Sequence, residues 1–197
     1  SIMWVNNELG TINDIKEIGE MANKHNILFH SDAVQFIGKK KIDLSNTKIN
    51  FLSLGAHKFY GPKGIGILYC ENGSTFAPLI DGGGQENGLR AGTENISLIA
   101  GMDTALQIAS DNYQINKDKI QNLENNLISL LEDSNIKYRI NGDNRLTGIL
   151  NITFFNVEGH NLLMNLDMEG IAISYGSACS TGTTNATQAL IEIGMKA

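Results

Sequence analysis

The first thirty or so residues run strand, helix, strand with links of only a few residues, and that order restricts the sheet they can build. Ser1–Val5 is a short apolar run, and Val5-Asn6-Asn7-Glu8-Leu9-Gly10 leaves it through a turn. From Asp14 to His25 the residues Ile15, Ile18 and Ala22 recur on one helical face. Ile27-Leu28-Phe29-His30 is a second apolar run, which predicts a parallel pair joined by a right-handed crossover. Ligands of such sheets bind beyond the C-terminal ends of the strands, which is where Asp32 falls.

Further strands are predicted at Ile49–Leu54, with Lys58 just beyond it, and at Ile65–Cys70, which pairs with its neighbour and places Cys70 in the core. A glycine-rich loop from Gly82 to Thr93 carries Arg90. Helical periodicity then takes over. Ile99, Met102, Leu106 and Ala109 form one stripe, and Ile120, Leu123, Leu127, Leu130 and Leu131 form another. The polar interval around 111–116 breaks them, so we expect an α/β domain over residues 1–112. A small α+β module follows over 113–197, with strands at 137–140, 149–155 and 171–174 and helices at 158–168 and near the end.

Composition excludes several classes. Hydrophobic residues make up 42% and charged residues 18% of 197, which suits a soluble globular protein with a real core. No apolar stretch approaches the roughly 18 residues of a membrane span, and Ser1–Val5 lacks the basic start and cleavage site of a secretory signal. Net charge is −6 with no basic cluster, which argues against nucleic acid as a direct ligand. Cys70 and Cys179 show no metal-ligand spacing, so neither a zinc site nor a disulfide framework is expected, and a reducing cytoplasm is the default.

The chemistry-bearing residues sit in distinctive runs. His30-Ser31-Asp32-Ala33-Val34-Gln35 ends one strand, and Gly55-Ala56-His57-Lys58-Phe59-Tyr60-Gly61-Pro62-Lys63-Gly64 follows the next. An acid and an amine so placed are what an enzyme needs to hold pyridoxal phosphate: the amine forms an imine with the aldehyde, and the carboxylate keeps the ring nitrogen protonated. A lysine nucleophile has to be neutral, which partial burial and neighbouring positive charge favour, and His57 and Lys63 lie close in sequence. Each residue also has a plainer role. Lys58 alone is a solvated loop lysine. Asp32 caps a helix starting at Ala33. Gln35 either means nothing or sets its amide beside the cofactor's phenolic oxygen. Thr93 is an ordinary N-cap or meets a phosphate at a helix start. Asn6 and Asn7 either form the turn or face the ring, and His25, His30 and His160 show no partner. Cys179 lies in Ser174-Tyr175-Gly176-Ser177-Ala178-Cys179-Ser180-Thr181-Gly182, whose small residues leave its sulfur exposed, either incidentally or for reaction.

Taken together with Gly82-Gly83-Gly84-Gln85-Glu86, Leu89-Arg90-Ala91-Gly92-Thr93 and Gly176-Ser177-Ala178-Cys179-Ser180, these runs resemble a cysteine desulfurase, from the class V aminotransferase branch of the fold-type I pyridoxal-phosphate enzymes. The resemblance implies part of the large domain of that fold plus part of its small C-terminal domain. It implies Lys58 as the imine lysine and α-proton base, Asp32 at the pyridine nitrogen and Gln35 at the phenolic oxygen. It sets Asn7 between cofactor and substrate carboxylate, His57 at the phosphate, and Thr93 at the phosphate of the partner subunit's cofactor in a homodimer. Cys179 would take sulfur from L-cysteine as a persulfide, releasing L-alanine. The short Ser-Ala-Cys loop points to the branch whose acceptors are iron–sulfur scaffolds or tRNA-thiolation proteins.

The chain departs from that pattern in two ways. Gly55 stands where the family has a phosphate-contacting serine. The earlier phosphate loop, the ring-stacking histidine and the later substrate-binding arginine have no counterpart, so the chain is expected to be part of a protein about twice as long. By itself it should bind cofactor weakly. The rivals are a selenocysteine lyase or other class V enzyme, and a silent remnant that binds a partner through its helices.

Overall fold

The computed structural model describes residues 1–72, 74–175 and 187–194. The chain divides into two compact units, Ser1–Val5 with Asn13–Lys117 and Asn6–Ile12 with Asp118–Ala197.

The first unit is built on a four-stranded sheet of β1 (Ile2–Met3), β2 (His30–Asp32), β3 (Phe51–Gly55) and β4 (Gly66–Cys70), in that spatial order. β1, β2 and β3 are mutually parallel, with Met3 opposite Asp32 and Asp32 opposite Ser53, while β4 returns antiparallel to β3. The crossover from β1 to β2 is helix α1 (Ile15–Lys24), started by the Asp14 carboxylate, which accepts from Glu17 N at 3.0 Å.

The second strand begins at His30 rather than Ile27, because the end of α1 uses the intervening residues. Asn26 takes a left-handed φ of 55°. Asn26 N donates to Asn23 O at 3.1 Å and Ile27 N to Ala22 O at 2.9 Å, the paired bonds of a Schellman stop. Ile27 and Leu28 are left on the surface. β4 also differs from expectation. Its residues are mostly exposed and Cys70 is only half-buried, so this thiol is not a core group.

Ile15, Phe29, Ile49 and Leu52 are buried in this unit. α1 approaches the chain before β3 so closely that a Cβ on Gly19 would lie 2.4 Å from Lys48 O. Gly19→Ala should therefore destabilise the protein by about 1–3 kcal/mol despite alanine's better helix propensity. The check is the urea midpoint, and an unchanged or raised midpoint would contradict that packing.

α2 (Ile96–Asp111) and α3 (Tyr113–Glu132) are separated at Asn112, where the polar interval predicted a break. Asn112 closes α2 with its own amide, Nδ2 donating to Ile108 O at 2.9 Å. The second unit contains an antiparallel pair, β5 (Tyr138–Asn141) with β6 (Asn151–Phe154), then α4 (Gly159–Met168) and α5 (Gln188–Glu192). The strand expected at 171–174 is irregular. Gly170 adopts φ 76° and Ile171 N bonds Leu166 O at 2.8 Å, so a second helix stop takes up the start of that run.

Candidate active site

Two turns at the C-terminal ends of β2 and β3 carry the predicted acid and amine. β2 ends on Asp32, whose Oδ1 accepts from Val34 N at 2.9 Å. No helix follows, so Asp32 organises a turn and does not cap an α-helix. Its second carboxylate oxygen has no hydrogen bond among the described residues. The turn continues through Gln35 to Lys39, pinned by Phe36, which is buried and stacks on Trp4 at 4.4 Å between ring centroids.

β3 runs into a 3₁₀ turn, Ala56–Phe59. In such a turn positions i and i+3 eclipse one another. Ala56 and Phe59 are accordingly both buried, in a cluster with Ile37 and Met102. His57 and Lys58, between them, are left exposed. The apolar pair thus fixes where the amine emerges, and Lys58 makes no hydrogen bond or ion pair among the described residues.

The two turns pack against each other. Gly38, at φ 73°, comes so near the second turn that an added Cβ would sit 2.6 Å from Phe59 Cβ. Lys39 Nζ donates to Gln35 Oε1 at 3.2 Å. Burial first, and then the nearby Lys58 ammonium, hold the Lys39 ammonium below the ordinary lysine value of 10.5. Lys39, which no sequence motif singles out, is therefore a cation on which the Lys58 charge acts. Its place four residues after Gln35 was the available signal.

That coupling has a pH consequence. Between the lowered folded value and 10.5, the unfolded chain binds more protons, so stability gains with rising pH. Lys39→Met removes the buried charge. Its stability relative to wild type should be highest near neutral pH and should fall as pH rises through that window. Denaturation midpoints at pH 7 and near pH 10 check this, and a difference that does not change with pH would refute it.

At Gly55 a Cβ would lie 3.2 Å from His57 Cε1 and 3.7 Å from Val34 Cγ2. Serine at this position would press on the imidazole, so the departure from the family pattern goes with the position of His57. His30, expected to be unpartnered, is fixed on both ring nitrogens, at 2.7 Å from Ser1 Oγ and 3.1 Å from Ser53 Oγ.

The remaining predicted residues lie elsewhere. Thr93 is not an N-cap, since Asn95 caps α2 by accepting from Leu98 N at 3.1 Å. Thr93 is exposed and lines a groove of about 910 Å³ with Arg90 and β4, a groove whose walls include neither Asp32 nor Lys58. Asn7 is exposed and belongs to the second unit. Cys179 lies outside the described residues. Among the described residues no cluster of three or more His, Cys, Asp or Glu could hold a metal ion, and no helix is long and apolar enough to cross a membrane.

An amine, a carboxylate with one uncommitted oxygen and an amide, gathered at adjoining parallel strand ends, fit the aldehyde, ring nitrogen and phenolic oxygen of pyridoxal phosphate.

Comparison with known proteins identifies the family. The family described as Aminotransferase class-V matches residues 1–196. Cysteine desulfurase IscS of Clostridium botulinum is 45% identical over 99% of this chain and 50% of its own length. Cysteine desulfurase NifS of Azotobacter vinelandii is 43% identical over 93% of the chain and 46% of its own. Among solved structures, a NifS-like protein from Rickettsia africae superposes with a TM-score of 0.82 at 35% identity, covering 89% of this chain and 49% of that one. A protein titled SspA in complex with cysteine gives 0.75 at 38% identity, covering 98% and 54%. The chain therefore spans about half the length of the curated relatives it matches. With a match that runs almost end to end, it belongs to the class-V aminotransferase family, and its fold is that of the NifS-like fold-type I enzymes.

Proposed function

We propose that this chain is part of a cysteine desulfurase, a cytoplasmic homodimer that takes sulfur from L-cysteine with pyridoxal phosphate as cofactor. The observation that carries the reading is the acid and the amine at the ends of two adjacent parallel strands, Asp32 on β2 and Lys58 after β3. Relatives named cysteine desulfurases at 41–45% identity support it, as does a solved relative whose title reports bound cysteine.

Pyridoxal phosphate, when bound, supplies a sink for the electron pair left on the substrate's α-carbon. Lys58 would hold the cofactor through Nζ and would serve as the base for the substrate α-proton. The free oxygen of Asp32 holds the proton on the ring nitrogen. Gln35 donates its amide NH₂ to the phenolic oxygen, an orientation favoured because Lys39 already occupies Oε1. His57 binds the phosphate, Thr93 reaches the phosphate of the partner subunit's cofactor, and Asn7 orients the substrate between ring and carboxylate.

Cys179 then attacks the substrate sulfur. A sulfur–sulfur bond forms as the carbon–sulfur bond breaks, the electron pair stays with the carbon fragment, and the thiol proton balances the product. L-cysteine and a thiol become L-alanine and a persulfide without external oxidant or reductant. The persulfide passes to an acceptor protein of the kind that builds iron–sulfur clusters or thiolates tRNA.

The test uses a full-length protein carrying these residues, with cofactor and L-cysteine, following alanine release and persulfide on Cys179 by mass spectrometry. Stoichiometric alanine and persulfide support the reading. Alanine from selenocysteine but none from cysteine would replace it with a selenocysteine lyase.

A further inference from the structure

Asp32 and Gln35 share a pattern: one atom of each terminal group is engaged by the chain and another is left over. Asp32 Oδ1 accepts from Val34 N at 2.9 Å, and Gln35 Oε1 accepts from Lys39 Nζ at 3.2 Å. Gln35 Nε2 donates to nothing among the described residues. A glutamine amide carries an acceptor at one end and donors at the other, whereas a lysine ammonium has three donors and no acceptor. Lys39 Nζ can therefore meet only the carbonyl end of Gln35, and the NH₂ end is the one left over.

The backbone holds this contact. Phe36 and Ile37 are buried, and their N–H groups both bond Ala33 O, at 2.9 and 3.0 Å. Gly38 then takes a left-handed φ of 73° and Lys39 N donates to Phe36 O at 3.2 Å, which turns the chain back toward Gln35. Gly38 is also the residue that lies against Phe59, so the turn carrying Gln35 and Lys39 is braced on the turn carrying Lys58. Lys39 is half-buried, whereas Lys40 is exposed with its Nζ 5.9 Å from the Phe36 ring centroid. Of these two adjacent lysines, one is committed to the amide and the other to the ring face.

We propose that Lys39 is a positioning residue: it holds the amide of Gln35 with its NH₂ end free, so that the site offers the phenolic oxygen of pyridoxal phosphate a donor and not an acceptor. This rests on the cofactor reading above and on the role proposed there for Gln35. A donor at that oxygen favours its ionised form, and the neighbouring imine then loses its proton at lower pH. Lys39 acts on that balance through Gln35. Asp32, Lys40, and His57 and Lys58 on the facing turn are the other titratable groups here, so orientation of the amide has to be separated from charge.

The experiment titrates the absorbance of the bound cofactor in a full-length protein carrying these residues. It compares wild type with Gln35→Leu, Lys39→Met, Lys39→Arg, Lys40→Met and the Gln35→Leu/Lys39→Met double variant. The readout is the pH at which the imine loses its proton. Gln35→Leu, which removes the donor, should raise that midpoint by about one pH unit, the worth of one hydrogen bond. Lys39→Met should raise it by roughly half as much or more, because the freed amide presents either end. Lys39→Arg, which keeps a donor for Oε1, and Lys40→Met, which removes only a charge, should stay near wild type. The double variant should match Gln35→Leu alone, because Lys39 has nothing to orient once the amide is gone.

A Lys39→Met midpoint equal to wild type overturns the proposal. So does a double variant that shifts beyond Gln35→Leu, since the Lys39 charge would then act on the imine directly. A shift in Lys40→Met as large as in Lys39→Met overturns it too. A wild-type protein that shows no imine absorbance with pyridoxal phosphate removes the cofactor reading, and a Gln35→Leu midpoint equal to wild type removes the role of Gln35. Either result takes the role of Lys39 with it. A shifted Gln35→Leu beside an unshifted Lys39→Met removes the role of Lys39 alone.

Discussion

Lys58→Ala, made in a full-length protein carrying these residues, should abolish the covalent link to pyridoxal phosphate and reduce turnover to background. Two losses combine. Alanine offers no amine to the aldehyde, so the cofactor would be held only by the groups proposed above, Asp32, Gln35 and His57, and by the phosphate contacts. It also removes the group proposed to move the α-proton, a step worth about 10²–10⁴-fold by itself. The fold should survive, because the 3₁₀ turn is anchored by buried Ala56 and Phe59 while Lys58 points outward. The measurement pairs absorbance after desalting with alanine release, and thermal unfolding confirms that the variant is folded. Retained covalent cofactor in a folded Lys58→Ala protein would move the attachment to another lysine. Lys39, partly buried and close enough to feel the Lys58 charge, would be the first to test.

What the sequence made legible follows the range of the interactions. The parallel crossover, the helix that starts near Asp14, the break at Asn112 and the delivery of Asp32 and Lys58 to adjacent strand ends all depend on short-range pattern and on handedness. Apolar content predicts strand starts at Ile27 and Ile171, whereas each residue completes the stop of the preceding helix. Asn26 and Gly170, both left-handed, were the local sign of those stops. The apolar neighbours of Cys70 predict a core position, yet β4 is largely exposed on both faces.

The site shows the same division. Asp32, Gln35, His57 and Lys58 were visible as motif residues near one another in sequence. Lys39 entered only once Gly38 and Phe59 brought the two turns into contact.

Cys179→Ser should separate the two halves of the proposed chemistry. Serine keeps the size and most of the polarity of the side chain, so the cofactor's attachment at Lys58 and its absorbance should be unchanged. What it lacks is a nucleophile that ionises near neutral pH: a thiol does so readily in a favourable setting, whereas a hydroxyl needs an adjacent base. Substrate should therefore bind and lose its α-proton, while persulfide formation and delivery of sulfur to an acceptor protein fall below detection. The two variants thus differ in kind, since Lys58→Ala removes the cofactor signal and Cys179→Ser preserves it. Mass spectrometry of the enzyme after a single turnover, with transfer of labelled sulfur to the acceptor, reads the difference. Normal delivery of sulfur by Cys179→Ser would exclude this thiol as the carrier. It would leave the half-buried Cys70, on exposed strand β4, as the other cysteine of the chain able to form a persulfide.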